Sequence, residues 1–224
     1  MLQAEDELDQ EMCSKYGSSC IRDGITNIEK FYSPEINYRI LWILKEPNSS
    51  DEGWNMRNFH KALNKTREDK TRKDAKWSWK STYQKMVQVS HGFLHGIYDY
   101  EKIPASDKIV VDAMNSIAFV NVKKVAGGAN SYSRTINRYY SEHKDFLHYQ
   151  IEKINPNVII NCSRVWDLFE DLSVSSINKV EPFHYSFDDK RLVINAYHPA
   201  VRKRGFKESM YFDAIAEIRK LSGR

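Results

Sequence analysis

The sequence predicts a single α/β domain with three layers, in which helices cover both faces of a central, mainly parallel sheet of four strands. Four short runs are apolar on both faces, as buried parallel strands require: 39–44, 117–122, 158–162 and 192–197. Helical sequence separates these runs, and strands that alternate with helices form parallel βαβ units. The chain has 224 residues, of which 41% are hydrophobic, and this is enough for one domain with its own core.

Each predicted element depends on a local signal. The first strand ends before Pro47, because proline cannot donate to a strand ladder, and Pro182 reduces segment 180–187 to an edge strand. Helical periodicity predicts helices over five segments: 55–95, 107–116, 134–154, 163–171 and about 207–221. The domain carries two additions, a helical extension at the N-terminus over 1–37 and a basic helical insertion over about 61–85.

Composition and motifs exclude several classes of protein. No apolar run reaches the roughly 18 to 20 residues of a membrane span, and the acidic N-terminus does not resemble a signal peptide. The odd number of cysteines (Cys13, Cys20 and Cys162) argues against a disulfide framework, and no Cys/His cluster indicates zinc or an iron–sulfur centre. The glycine loops that bind nucleotides and the GxSxG elbow are absent. We therefore expect a cytoplasmic monomer with no metal, no cofactor and no membrane partner.

Positive charge is concentrated in segment 61–85, which has nine Lys or Arg against three Asp or Glu, although the whole chain carries only +4. Three aromatic residues are interleaved with these cations: Trp77, Trp79 and Tyr83. Such clusters indicate a polyanion partner, and aromatic rings among cations suit stacking on exposed bases. Five cations are the predicted phosphate contacts, from this segment and from a second basic run: Lys73, Lys76, Arg202, Lys203 and Arg204. The alternative is a solvated insertion whose tryptophans pack on the core.

Polar side chains leave three of the predicted strands at their carboxyl ends: Glu46, Asn121 and His198. Ligands of open parallel sheets bind beyond the carboxyl ends of the strands, so these residues are predicted to converge on one cleft. A carboxylate and an imidazole can serve acid–base or electrostatic catalysis, and an amide can recognise a polar ligand. Each residue also has a structural alternative, in which Glu46 pairs with a lysine, Asn121 binds a loop backbone and His198 caps the sheet.

Three segments occur in a characteristic order: 44–48, then 119–122 with 128–131 downstream, then 195–200. This order resembles the uracil-DNA glycosylase superfamily, in which a strand-end G-x-D/N-P motif precedes an Asn-bearing strand and a strand-end H-P-S motif. The resemblance spans roughly residues 38–221. It implies the fold of that superfamily and an enzyme that excises uracil or a related damaged base from DNA by hydrolysing the N-glycosidic bond.

The resemblance also implies a role for each residue of the site. Glu46 would orient the attacking water, Asn121 would read the edge of the flipped base, and His198 would stabilise the negative charge that develops on it. Five further positions complete the implied site: Phe59 or Trp54 as the ring that stacks on the base, Pro47 and Asn48 beside it, and Ser131 at the DNA backbone.

The chain differs from the family pattern at four motif positions. Leu44 replaces the usual Gly, Asn48 replaces the bulky Tyr of the best-known branch, and Ala200 replaces the usual Ser. Glu46, which is one methylene longer than Asp, replaces the usual Asp or Asn. Two other functions therefore stay open beside base excision. One is a non-catalytic protein that binds nucleic acid or nucleobases on the same fold. The other is a structural protein whose basic insertion docks on a partner.

Overall fold

The computed structural model describes residues 2–58, 60–61, 80–103, 106–128, 130–201 and 205–224. The described strands are β1 (Gly24–Ile25), β2 (Ile40–Leu44), β3 (Ile117–Asn121), β4 (Val158–Asn161), β5 (Asn178–Val180), β6 (Phe183–Phe187) and β7 (Leu192–Asn195). The described α-helices are α1 (Leu2–Tyr16), α2 (Ile28–Phe31), α3 (Lys80–His95), α4 (Asp107–Asn115), α5 (Ser133–Ile154), α6 (Trp166–Leu172) and α7 (Glu208–Leu221), with a 3-10 turn at Tyr100–Lys102.

All seven described strands form one mixed sheet with the order β1-β3-β2-β4-β7-β6-β5. The four predicted strands are its centre, each beginning and ending within two residues of the prediction, and they run parallel to one another. The predicted number of four strands is wrong. The two-residue strand β1 pairs antiparallel with β3 at one edge, and the β5–β6 hairpin adds two antiparallel strands beside β7.

The core has two apolar layers, one on each face of the sheet, because successive residues of a strand point to opposite faces. On β2, Trp42 packs in the layer that α3, α4 and α7 cover, and the next residue, Ile43, packs in the layer that α2, α5 and α6 cover. Both side chains are completely buried, as the unbroken apolar runs predict. The α/β character and the helices on both faces therefore agree with the prediction.

The strand register brings four chain segments to the same edge of the sheet. Leu44 on β2 lies beside Asn121 on β3, and Asn161 on β4 lies beside Asn195 on β7. The residues that follow these four strand ends therefore share the carboxyl edge, where open parallel sheets bind their ligands. In the part of the chain that the structure describes, no helix is long and apolar enough to cross a lipid bilayer.

Candidate functional site

Glu46, the predicted water-orienting carboxylate, is held in an ion pair. The Nζ atom of Lys123 donates to Oε2 of Glu46 at 2.7 Å and to the carbonyl oxygen of Ala126 at 2.8 Å. Only 6% of the Glu46 side chain and 13% of the Lys123 side chain are exposed. An ion pair with this little exposure is weakly screened by salt. The carboxylate is therefore fixed in position, and one of its two oxygens is occupied by Lys123.

Gly127 packs against the same carboxylate oxygen of Glu46 that Lys123 binds. A Cβ atom at position 127 would lie 2.2 Å from Oε2 of Glu46, so any side chain there would displace the carboxylate. The backbone of Gly127 also joins the two loops, because its N–H donates to the Pro47 oxygen at 2.9 Å and its own oxygen accepts from the Ser49 N–H at 3.2 Å. The loop after β2 and the loop after β3 therefore form one rigid unit around Glu46.

His198 is a neutral imidazole with a defined tautomer. Its Nδ1 atom accepts from the Ala200 N–H at 3.2 Å, which places the ring proton on Nε2. The pKa of His198 is lowered to about 4, first by burial and then by the positive charges of Lys45, Arg164 and Lys85. At neutral pH the residue is therefore a hydrogen-bond donor through Nε2 and carries no charge of its own.

The three cations around His198 come from three different elements. The Nζ atom of buried Lys85, on α3, donates to the Pro199 oxygen at 2.8 Å. Lys45 follows β2 directly, and its pKa is lowered by burial and by the charge of Arg164. Arg164 follows β4, is exposed, and adopts the left-handed φ of 66°. This edge of the sheet is therefore electropositive, which favours an anionic ligand.

Asn121, the predicted base reader, directs its amide hydrogens into the protein. Its Nδ2 atom lies 3.3 Å from Sδ of Met56 and 3.4 Å from Oδ2 of Asp23, and its backbone N–H donates to the same oxygen at 2.7 Å. Only 1% of the residue is exposed. Asn121 lies at the predicted strand end, and its Nδ2 group serves contacts within the fold.

The other predicted site residues are distributed along the same edge. Trp54 is half-buried, and its Nε1 atom donates to Oγ of Ser49 and to the Asp51 oxygen, both at 3.1 Å. Pro47 is buried, Asn48 is exposed, and half-buried Ser131 shortly precedes α5. Six predicted residues lie outside the described part of the chain: Phe59, Lys73, Lys76, Arg202, Lys203 and Arg204.

The structure brings Glu46, Asn121 and His198 to one edge and spaces them across it. Glu46 follows β2, the neighbour of β3 with Asn121, whereas His198 follows β7, two strands away from β2. Neighbouring strands are about 4.8 Å apart, so the axes of β2 and β7, which Glu46 and His198 follow, are roughly 10 Å apart.

Sequence reasoning missed the four cations Lys45, Lys85, Lys123 and Arg164. Two of them carried a signal, Lys45 as a charge directly after a buried strand and Lys85 as the last residue of the basic segment 61–85.

Comparison with known proteins finds no family model that matches the chain and no curated protein that matches it. The chemistry of the edge itself is specific, however. A neutral imidazole donor surrounded by cations can stabilise an anion that forms on a ligand, and a fixed carboxylate can orient a polar group or balance a positive charge.

Acidification is expected to destabilise the protein through His198. Its folded pKa of about 4 lies below the ordinary value of 6.5, so the unfolded chain takes up the proton first as the pH falls. The stability that neutral His198 provides is complete above pH 6.5 and is lost towards pH 4. Between pH 7 and 4.5, wild type should lose about 2 kcal/mol more than His198→Asn in urea unfolding. Equal losses in the two proteins would contradict the lowered pKa, and His184→Asn is the control.

Proposed function

We propose that the carboxyl edge of the sheet binds DNA, single- or double-stranded, and hydrolyses the N-glycosidic bond of uracil or a related damaged base. The observation that carries the proposal is the neutral His198 among Lys45, Lys85 and Arg164. When the bond from C1′ to the base nitrogen breaks, both electrons go to the base, which leaves as an anion. A neutral donor backed by positive charges stabilises that anion without competing with it for a proton.

In this proposal Glu46 acts on the sugar side of the breaking bond. Loss of the base leaves positive charge on the sugar, which a nearby carboxylate favours. Water then adds to C1′, and its proton passes to solvent or to the released base anion, which leaves as the neutral base. The contacts of Glu46 with Lys123 and Gly127 support a fixed position for this carboxylate. A fixed charge needs no reorganisation during the reaction, and this is the main source of electrostatic catalysis.

A second candidate function is non-catalytic binding of nucleic acid or nucleobases at the same edge. Two contacts favour it. Lys123 already neutralises Glu46, and the Nδ2 group of Asn121 is engaged by Asp23 and Met56 and is thus turned away from a ligand. Both candidates need the electropositive edge. Only base excision also needs the negative charge of Glu46 beside the sugar and a hydrogen-bond donor at the departing base.

Excision and binding can be separated in one series of oligonucleotides. Single- and double-stranded DNA with one uracil, hypoxanthine, xanthine or mismatched thymine is incubated with the protein, then treated with alkali, which cleaves abasic sites. Strand cleavage at one of these bases supports base excision. Tight binding by fluorescence anisotropy without cleavage at any base supports the second candidate. Absence of both overturns the two proposals together.

Replacing Arg164 with glutamine is expected to weaken DNA binding and to reduce its salt dependence. Each phosphate contact that is lost lowers the slope of log affinity against log salt by about 0.7 for single strands and 0.9 for duplex DNA. Arg191→Gln is the matched control, because Arg191 immediately precedes β7 and therefore lies at the opposite edge of the sheet. Equal slopes for wild type and Arg164→Gln would remove Arg164 from the binding surface.

A further inference from the structure

Two histidines and an aspartate meet at the end of the sheet away from the candidate functional site. His91 and His95 are four residues apart on α3, so they lie on the same side of the helix, and their ring centroids are 4.2 Å apart. Asp112 on α4 brings its Oδ2 atom to 3.3 Å from Nε2 of His95. One possible ligand atom from each of the three residues lies within 4.8 Å of the other two.

The ring of His91 has an unused nitrogen. His91 is only 7% exposed, and its Nδ1 atom is buried without a hydrogen-bond partner among the described residues. A buried polar atom without a partner costs free energy, typically about 1–3 kcal/mol, unless something outside the described contacts satisfies it. Nδ1 of His91 is therefore open to a partner that the described contacts do not supply.

We propose that His91, His95 and Asp112 bind a divalent transition-metal ion of the zinc type. Two imidazoles and one carboxylate are a ligand set that zinc accepts, with the remaining coordination position taken by water. Bonds of about 2.0–2.1 Å in a tetrahedral site separate neighbouring ligand atoms by about 3.3 Å. Oδ2 of Asp112 and Nε2 of His95 already have this separation. The remaining ligand distances, at most 4.8 Å, have to shorten by up to about 1.5 Å when an ion binds.

Lys30 prepares the carboxylate for this role. Its Nζ atom contacts Oδ1 of Asp112 at 2.5 Å, which leaves Oδ2 for the ion and fixes the plane of the carboxyl group. Hydrogen bonds of this kind orient metal ligands in many sites, although the positive charge of Lys30 also lowers the affinity for a cation. The side chain of His95 is 48% exposed, so solvent can reach the site and an ion can enter.

The proposed metal site is separate from the candidate functional site. Lys85 binds the Pro199 oxygen at the carboxyl edge, and His95 lies ten residues further along the same helix, about 15 Å along its axis.

The ion would join α3 to α4, two helices that cover the same face of the sheet. Its predicted effect is therefore on the stability of this helix pair. The sequence predicted no metal site because it contains no Cys/His cluster, and only the fold brings Asp112 to the two histidines.

The test uses the full chain without an affinity tag, after treatment with a chelator and dialysis. Titration with Zn²⁺ alone, followed by calorimetry, should give one bound ion per chain and a rise in melting temperature. His95→Ala should reduce the affinity at least 10-fold, as loss of a ligand or of its support does. His148→Ala is the matched control, since His148 also lies on a helix near a carboxylate, that of Asp171 at 3.9 Å. The control should bind Zn²⁺ like wild type.

Two further measurements test the same three residues. Asp112→Asn retains the shape of the side chain and an oxygen for Lys30, and it should weaken Zn²⁺ binding with a melting temperature of the metal-free protein near that of wild type. Co²⁺ in place of Zn²⁺ should give visible absorption bands that His95→Ala loses. If Zn²⁺ does not bind stoichiometrically, or binds equally to wild type, His95→Ala and Asp112→Asn, the three residues are not a metal site.

Discussion

His198→Ala is expected to lower the rate of base excision by about 10²- to 10³-fold, the usual effect of removing one donor that stabilises a developing anion. The neutral ring donates through Nε2, and alanine leaves the departing base without that donor while Lys45, Lys85 and Arg164 remain. DNA affinity should change by much less than the rate, because the cations and not the neutral imidazole attract phosphate.

Single-turnover excision with excess enzyme measures the chemical step and separates it from binding. His184→Ala serves as the control, because His184 is a half-buried histidine on β6 that lies against Trp166. An unchanged rate in His198→Ala would remove His198 from the mechanism. A parallel loss of DNA affinity would instead show that His198 supports the binding surface and not the chemical step.

Lys124→Met is expected to destabilise the fold by about 3–5 kcal/mol, the cost of leaving a buried charge without its partner. The side chains of Lys124 and Asp23 are both fully buried. Nζ of Lys124 lies 2.8 and 3.0 Å from the two carboxylate oxygens of Asp23 and 2.7 Å from Oε1 of Gln150. Methionine fills nearly the same space, so the loss comes from the charge of Asp23 and not from a cavity.

Urea unfolding measures this free energy, and two further variants interpret it. Asp23→Asn combined with Lys124→Met removes both charges and should recover part of the loss, because the penalty belongs to the uncompensated carboxylate. Lys220→Met is the control for an exposed pair, 3.6 Å from Glu217, and should cost less than about 1 kcal/mol. A loss below 1 kcal/mol for Lys124→Met alone would show that water reaches Asp23.

Burial explains which parts of the fold could be predicted. The central strands are buried on both faces, so every residue of a run such as 158–161 must be apolar or find a polar partner, and this leaves a clear signal. β1 has only two residues, too few for any periodicity, and its place in the sheet depends on pairing with Phe119 and Ala118 nearly 100 residues away. The β5–β6 hairpin was partly visible in the predicted edge strand 180–187, which Pro182 divides.

The candidate site was predictable in position but not in its contacts. Strand ends identified Glu46 and His198 as polar residues at a shared edge, since topology alone brings these ends together. The partners of those residues come from distant segments, such as Lys123 for Glu46 and Lys85 beside His198. The local sequence of neither lysine indicates which strand end it reaches, although Lys85 closes the basic segment 61–85. Asn121 is the clearest case, because its partner Asp23 belongs to a segment that carried no predicted role.

The short antiparallel strand β1 also bears on the solubility of the protein. Without it, the outer side of β3 would present the unpaired N–H and C=O groups of five buried, mostly apolar residues, and such an exposed edge invites strands of other molecules to add to the sheet. Gly24 and Ile25 pair with the middle of β3, and Asp23 binds the backbone N–H of Asn121 at its end. The residues before β2 therefore protect the sheet against intermolecular pairing.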